Sequence, residues 1–173
     1  VEACILMCLR DFEFNNLELP TGKCRSESFA HRAKNKHWEK QQTYAVKHIP
    51  AIIQSRWWDC IERCTRGYTS GPIWCIRNSA MNRQPFELQT ELNRTLTMMG
   101  RPSAFIRAKG LRHLGRTMLR QAGLPEPHTN YVMNHYGEGY EKYNPVVGNN
   151  FIGFPNIYDQ AAEKVARILN ILE

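Results

Sequence analysis

The sequence has no apolar run approaching the ~18 residues that a membrane span requires, and no signal-peptide pattern opens it. Membrane-spanning and exported classes are set aside, and a cytoplasmic, nucleoid-associated protein is the expectation. CxxC and paired HxxxH spacings are also missing, as are internal repeats and low-complexity tracts. Without those spacings the six cysteines do not read as a zinc site. Cys4 and Cys8, and likewise Cys60 and Cys64, sit four apart in apolar, helix-like stretches, which suits buried reduced thiols better than disulfides. No metal or cofactor is expected.

What is present is a 173-residue chain, about one domain and long enough for a real core. It begins at Val1 and reads as a piece of a longer protein. Lys plus Arg exceed Asp plus Glu by 23 to 16, and the pI is about 9.2. Such a balance draws a chain to polyanions, nucleic acid first among them.

Hydrophobic periodicity predicts a mainly α chain with a small antiparallel β-sheet. Ala3, Leu6, Met7, Leu9 and Phe12 fit one helix that presents Arg10 near its end. "TYAVKHI" alternates as a strand until Pro50 stops it, with a polar hairpin loop near residues 34–42. Helical patterns return over residues 50–64, 86–99, 110–121 and 128–134, separated by "GYTSGPIW", "GRPS" and "AGLPEPH" as breaks. Residues 158–172 read as a closing amphipathic helix with Ala161, Ala162, Val165, Ile168, Leu169 and Leu172 on one stripe.

The segment "KGLRHLGRTMLRQAGLPEPHTNYVMNHYGEGYEKYNP" gathers cations, an imidazole and several phenols. Together with "CLRDFEFNNLEL" it resembles the tyrosine recombinases, or phage integrases. Arg10, Glu13 and Leu17 take the places of that family's first box. Lys109, Leu111, Arg112 and His113 take those of its His-x-Leu-Arg-His-Thr box, with Lys109 standing where the family usually has His. Lys34 follows Arg10 by 24 residues, as the family's catalytic lysine does, and His135 follows Arg112 by 23. Asn134 precedes His135 in place of the usual Gly. Tyr143 lies eight residues past His135, while "YEKYNP" matches the family's tyrosine-to-proline ending when read from Tyr140.

The resemblance runs from Arg10 to the closing helix, and it implies the catalytic-domain fold of that family over residues 1–173. The implied activity is cutting and rejoining double-stranded DNA through a covalent 3′-phosphotyrosyl intermediate, as a homotetramer on two duplexes. The implied catalytic set is Arg10, Lys34, Lys109, Arg112, His135 and Tyr143, with Tyr140 as the other candidate nucleophile and Lys36 as the other candidate acid. An N-terminal DNA-binding region would lie outside this chain, and the closing helix would either dock on a neighbouring subunit, as the family's last segment often does, or pack on its own core. Rival readings are a type IB topoisomerase-like or telomere-resolving enzyme, and a DNA-binding protein whose active site has decayed.

The chemistry suits these groups on physical grounds. Displacement at a phosphodiester adds negative charge to the non-bridging oxygens, and arginine meets them with a planar fork that keeps its proton. A phenol, of pKa about 10, becomes nucleophilic when cations stabilise phenolate and a base takes its proton. His135 could be that base, and Lys34 could protonate the leaving 5′-oxygen. Taken singly, Arg10 reads as a helix-end charge pairing with Glu13, Lys34 and Lys36 as solvated residues, His135 as a packed or capping histidine, and Tyr140 and Tyr143 as half-buried packing. Their joint spacing is what favours the chemical reading.

Overall fold

A computed structural model describes residues 1–19, 28–32, 44–65, 71–77, 83–103, 106–133 and 154–170. The chain is mainly α. Two short helices come first, α1 (Glu2–Leu6) and α2 (Asp11–Asn15), then strands β1 (Glu18–Leu19), β2 (Ser28–Arg32) and β3 (Tyr44–His48). A 3-10 turn (Ala51–Ile53) leads into α3 (Gln54–Thr65), followed by β4 (Gly71–Pro72), β5 (Cys75–Arg77) and β6 (Arg83–Pro85). Helices α4 (Leu88–Met98), α5 (Ala108–Gln121), α6 (Glu126–Val132) and α7 (Phe154–Ile168) complete the order.

One continuous sheet is not formed among the described residues. The strands make three separate two-stranded antiparallel ladders, β1 with β4, β2 with β3 and β5 with β6. The β2–β3 ladder pairs Ser28 with His48 and Arg32 with Tyr44, so it opens toward the expected lysine-bearing loop. Part of "GYTSGPIW" is ladder rather than loop, since Glu18 and Leu19 pair with Pro72 and Gly71 and the Ile73 N–H donates to the Leu17 carbonyl at 2.8 Å.

The single opening helix expected from the apolar spacing is broken in two. Every residue of the turn that separates α1 from α2 is buried except Arg10, and Cys8 takes a left-handed φ of 48°. That conformation is costly for a residue with a side chain. It persists because the freed carbonyls find donors elsewhere, as described below.

Helix α5 shows why the core forms where it does. Its buried residues Ala108, Leu111, Arg112, Gly115 and Leu119 recur at helical spacing, and they face α1. It ends in a glycine-based stop: Gly123 has φ 104°, its N–H donates to Arg120, and the Leu124 N–H reaches back to the Leu119 carbonyl at 2.9 Å. Leu119 and Leu124 are both buried beneath this turn.

Helix α7 packs on this chain's own core through Tyr158, Ala161, Ala162, Val165 and Ala166, against α1, α5 and the 3-10 turn. Self-packing is one of the two arrangements expected for this helix. The buried stripe is also rotated from the expected one, with Ile168 71% exposed and Ala166 buried in its stead. Alanine adds little to a hydrophobic pattern, so the larger isoleucine misled it. Within the same core Phe14 stacks on Trp74 at 4.8 Å, with Trp57 edge-on to both. Cys4, Cys8, Cys60 and Cys64 are all free thiols, but only the first two are buried; Cys60 is half-buried and Cys64 exposed, because the buried face of α3 runs through Trp57 and Ile61. No helix among the described residues is long and apolar enough to cross a membrane.

The closest helix contact rests on one glycine. A Cβ at Gly115 would stand 2.0 Å from the Ile5 carbonyl oxygen, backbone that cannot swing away. Gly115→Ala is therefore expected to lower the stability measured by urea unfolding by about 1–3 kcal/mol, as overpacking does. Gly110→Ala, at a site with nothing within 4 Å, should be neutral or stabilising by up to about 1 kcal/mol. Equal effects at the two positions would refute the close-approach account.

Candidate functional site

The turn after α1 presents three consecutive carbonyls to side chains from distant elements. Tyr158 of α7 donates its hydroxyl to the Leu6 carbonyl at 2.5 Å. Lys47 of β3 donates to the Met7 carbonyl at 3.0 Å. Arg112 of α5 donates Nη1 to the Cys8 carbonyl at 2.5 Å. A buried backbone carbonyl needs a donor, and leaving the helix at residue 7 frees these three to accept side-chain ones.

The same two cations hold a second segment. Lys47 Nζ also donates to the Val132 carbonyl and Arg112 Nη2 to the Met133 carbonyl, at the C-terminal end of α6. The turn carrying Arg10 and the exit of α6 are thus joined through one lysine and one arginine.

Beneath them lies Glu13, 1% exposed. Its carboxylate accepts the Arg10 backbone N–H at 2.8 Å and lies 3.5 Å from Arg10 Nη1 on one oxygen and 3.5 Å from Arg112 Nη1 on the other. Two guanidiniums from opposite halves of the chain therefore converge on one buried carboxylate. Lys47 is close enough to feel the same charge. Among the described residues three cations face one anion here, and the surplus is positive. Burying charge of one sign is costly unless something balances it, so the cluster favours an anion at its open side. That side is Arg10, whose side chain is 31% exposed, whereas Lys47 and Arg112 are each 4% exposed.

Burial pulls the Lys47 ammonium down to about 8, with Glu13 working against that fall. Burial also lowers the Arg112 guanidinium, and Glu13 again opposes. The Cys8 thiol is pushed up to about 11 by burial despite Lys47 and Arg112 nearby, so it stays protonated and is no nucleophile at neutral pH.

Of the residues expected to act, Arg10 and Arg112 are brought together. Lys109 lies on the exposed face of α5, near its start. Lys34, Lys36, His135, Tyr140 and Tyr143 lie outside the described residues. The two-pronged edge of Arg112, expected to face a phosphate, is engaged by the Cys8 and Met133 carbonyls. Sequence reasoning missed Lys47; it paired Glu13 with Arg10, as the structure does, but did not foresee that the buried carboxylate also reaches Arg112. A signal for Lys47 existed: in "AVKHI" it shares the alternation phase of Ala45 and Ile49, an apolar face on which a charge is out of place.

The outer face of α5 is basic as well. His113, Arg116, Thr117, Arg120 and Gln121 line an open groove of about 450 Å³, where Arg116 and Arg120 share Glu126 at 2.9 and 2.8 Å. Among the described residues no group of three or more His, Cys, Asp or Glu could hold a metal ion. Comparison of the chain with protein-family models, curated proteins and solved structures finds no match.

The buried groups set a pH profile for stability. The folded chain releases the Lys47 proton near pH 8 and the unfolded chain near 10.5, so the unfolded state binds more protons in that window and stability rises with pH. Cys4 and Cys8 act oppositely: both are raised from 9.0 to about 11, so the folded state holds protons the unfolded state loses, and stability falls across that range. The urea midpoint under reducing conditions is expected to peak near pH 9. Lys47→Met should abolish the rise between pH 8 and 9 and keep the later fall; an unchanged rise would mean another group causes it.

Proposed function

We propose that this chain is the catalytic domain of a tyrosine recombinase or integrase, which cuts and rejoins double-stranded DNA at specific sites through a 3′-phosphotyrosyl intermediate. The observation that carries this reading is the convergence of Arg10 and Arg112 on Glu13, with a surplus of positive charge that opens at Arg10. The spacing of Lys34 and His135 from these arginines, the basic groove on α5 and the excess of Lys and Arg support it.

In this reading Arg10 contacts the non-bridging phosphate oxygens directly. Arg112 supports it from beneath, adding positive field while holding Cys8, Met133 and Glu13. The oxygen of Tyr143, or of Tyr140, attacks phosphorus, and its proton passes to His135. The bond from phosphorus to the 5′-oxygen breaks, and Lys34 protonates that oxygen. The resulting phosphotyrosyl ester keeps the energy of the phosphodiester, so a 5′-hydroxyl reverses the step to rejoin the strand. Assembly as a tetramer on two duplexes in the nucleoid belongs to the same proposal.

A second reading is a DNA-binding protein of the same ancestry that no longer cleaves. The engagement of the Arg112 fork by two carbonyls favours it, because that fork is then not free to clamp a phosphate.

A nicked suicide substrate separates the two. Wild-type protein is expected to become covalently attached to it, and Tyr143→Phe to remove the adduct with DNA affinity retained. If Tyr140→Phe removes it instead, the nucleophile moves to that residue. Arg10→Ala should slow cleavage by about 10²-fold or more, the scale of losing one oxyanion donor. DNA binding by the wild type without any adduct would establish the non-cleaving reading.

A further inference from the structure

Three sequence-distant parts carry the proposed catalytic groups: the turn before Arg10, the β2–β3 hairpin with Lys34 in its loop, and the exit of α6 two residues before His135. Lys47 belongs to the second of these, at the base of β3, and it hydrogen-bonds the first at the Met7 carbonyl and the third at the Val132 carbonyl. No other side chain among the described residues makes both these contacts from that hairpin. Arg112 joins the first and third parts but leaves the hairpin out.

We propose that Lys47 is a positioning residue: a single buried amine fixes the base of the hairpin, the Arg10 turn and the α6 exit in one register, so that the three elements from which the proposed groups extend hold fixed places relative to one another. This inference rests on the recombinase reading for its reaction and on the two hydrogen bonds for its geometry.

Several features make this a costly device rather than a filler. An apolar residue at 47 would bury more cheaply than an amine and would fit the alternation of the strand. The amine is retained where it serves two carbonyls that lie 85 and 40 positions away in the chain. Those carbonyls sit at two helix ends, the C-terminus of α1 and that of α6, where backbone acceptors lack helical partners. The hairpin base is further tied down next door, because His48 lies 3.3 Å from Asp159 of α7. With both residues in place the base is anchored to three elements, and the loop beyond β2 and β3 starts from a defined position. Misplacing a reacting group by about 1 Å can cost ~10² in rate with binding intact. Loss of the Lys47 contacts would act in that way, since the residue is buried beneath the surface that faces solvent.

The test uses the full chain and two variants, Lys47→Met and Lys47→Gln. Glutamine is neutral, keeps two N–H donors and is one atom shorter, so it provides a folded comparison if the methionine variant does not fold. Circular dichroism well below the melting temperature fixes which variants are folded. DNA affinity is read by gel shift, single-turnover cleavage on the suicide substrate, and amide hydrogen exchange along the chain. Folded variants are expected to bind DNA within about twofold of wild type and to cleave ~10–100-fold more slowly. Exchange should rise at residues 7–10 and at the end of α6, with α3 and α4 unchanged.

Cleavage at the wild-type rate in a folded variant would overturn the proposal, as would a loss of cleavage that merely tracks a loss of affinity. A wild-type chain that binds DNA but forms no adduct overturns the recombinase reading instead. The exchange pattern then decides the geometric part alone: unchanged protection at both segments in either variant would refute the clamp.

Discussion

The fold depends on a short stretch of backbone that leaves its helix inside the core. Carbonyls of Leu6, Met7 and Cys8 are buried, and each is satisfied by a side chain from a different element: Tyr158 of α7, Lys47 of β3 and Arg112 of α5. A carbonyl left unpaired there would cost about 1–3 kcal/mol, so the three donors are conditions for the turn rather than additions to it. The turn in turn sets Arg10 at the head of α2, facing out, with Glu13 folded back beneath it.

Such a construction trades stability for definition. Two of the three donors are cations taken out of water, and among the described residues one carboxylate accompanies them. Replacing buried ion pairs with packed hydrophobes often stabilises a protein, whereas removing one partner costs about 3–5 kcal/mol. A cluster of this kind is therefore poor evidence of a merely structural need. It makes sense where geometry around a surface cation has to be held, and Arg10 is that cation.

Long, strongly periodic helices were legible from sequence. The buried face of α5 recurs at three and four residues, and glycine marks its end, so both its course and its stop could be read locally. The break between α1 and α2 could not. Apolar residues continue through Met7 and Leu9 as if the helix did, and the groups that make the break affordable lie at positions 47, 112 and 158. The two-residue strands β1 and β4 are too short to show any period. At the candidate site, resemblance to two sequence boxes pointed to Arg10 and Arg112 and a three-residue offset to an Arg10–Glu13 pair, yet nothing local says that the glutamate is buried and reaches Arg112. Lys47 was passed over because a lone lysine in a strand usually faces water.

The hydroxyl of Tyr158 reaches back across 152 positions to the carbonyl of Leu6. During synthesis, α1 therefore emerges long before the side chain that completes it, and before Lys47 and Arg112 as well. Its buried apolar residues Ala3, Cys4, Ile5 and Leu6, and the carbonyls that follow them, lack their native partners until α7 is made. Contacts of such long range slow folding and leave the early segment exposed to association with other chains. Within this stretch of chain the earlier-made residues are thus the last to reach their native environment, and the order of translation runs opposite to the order in which this core can close.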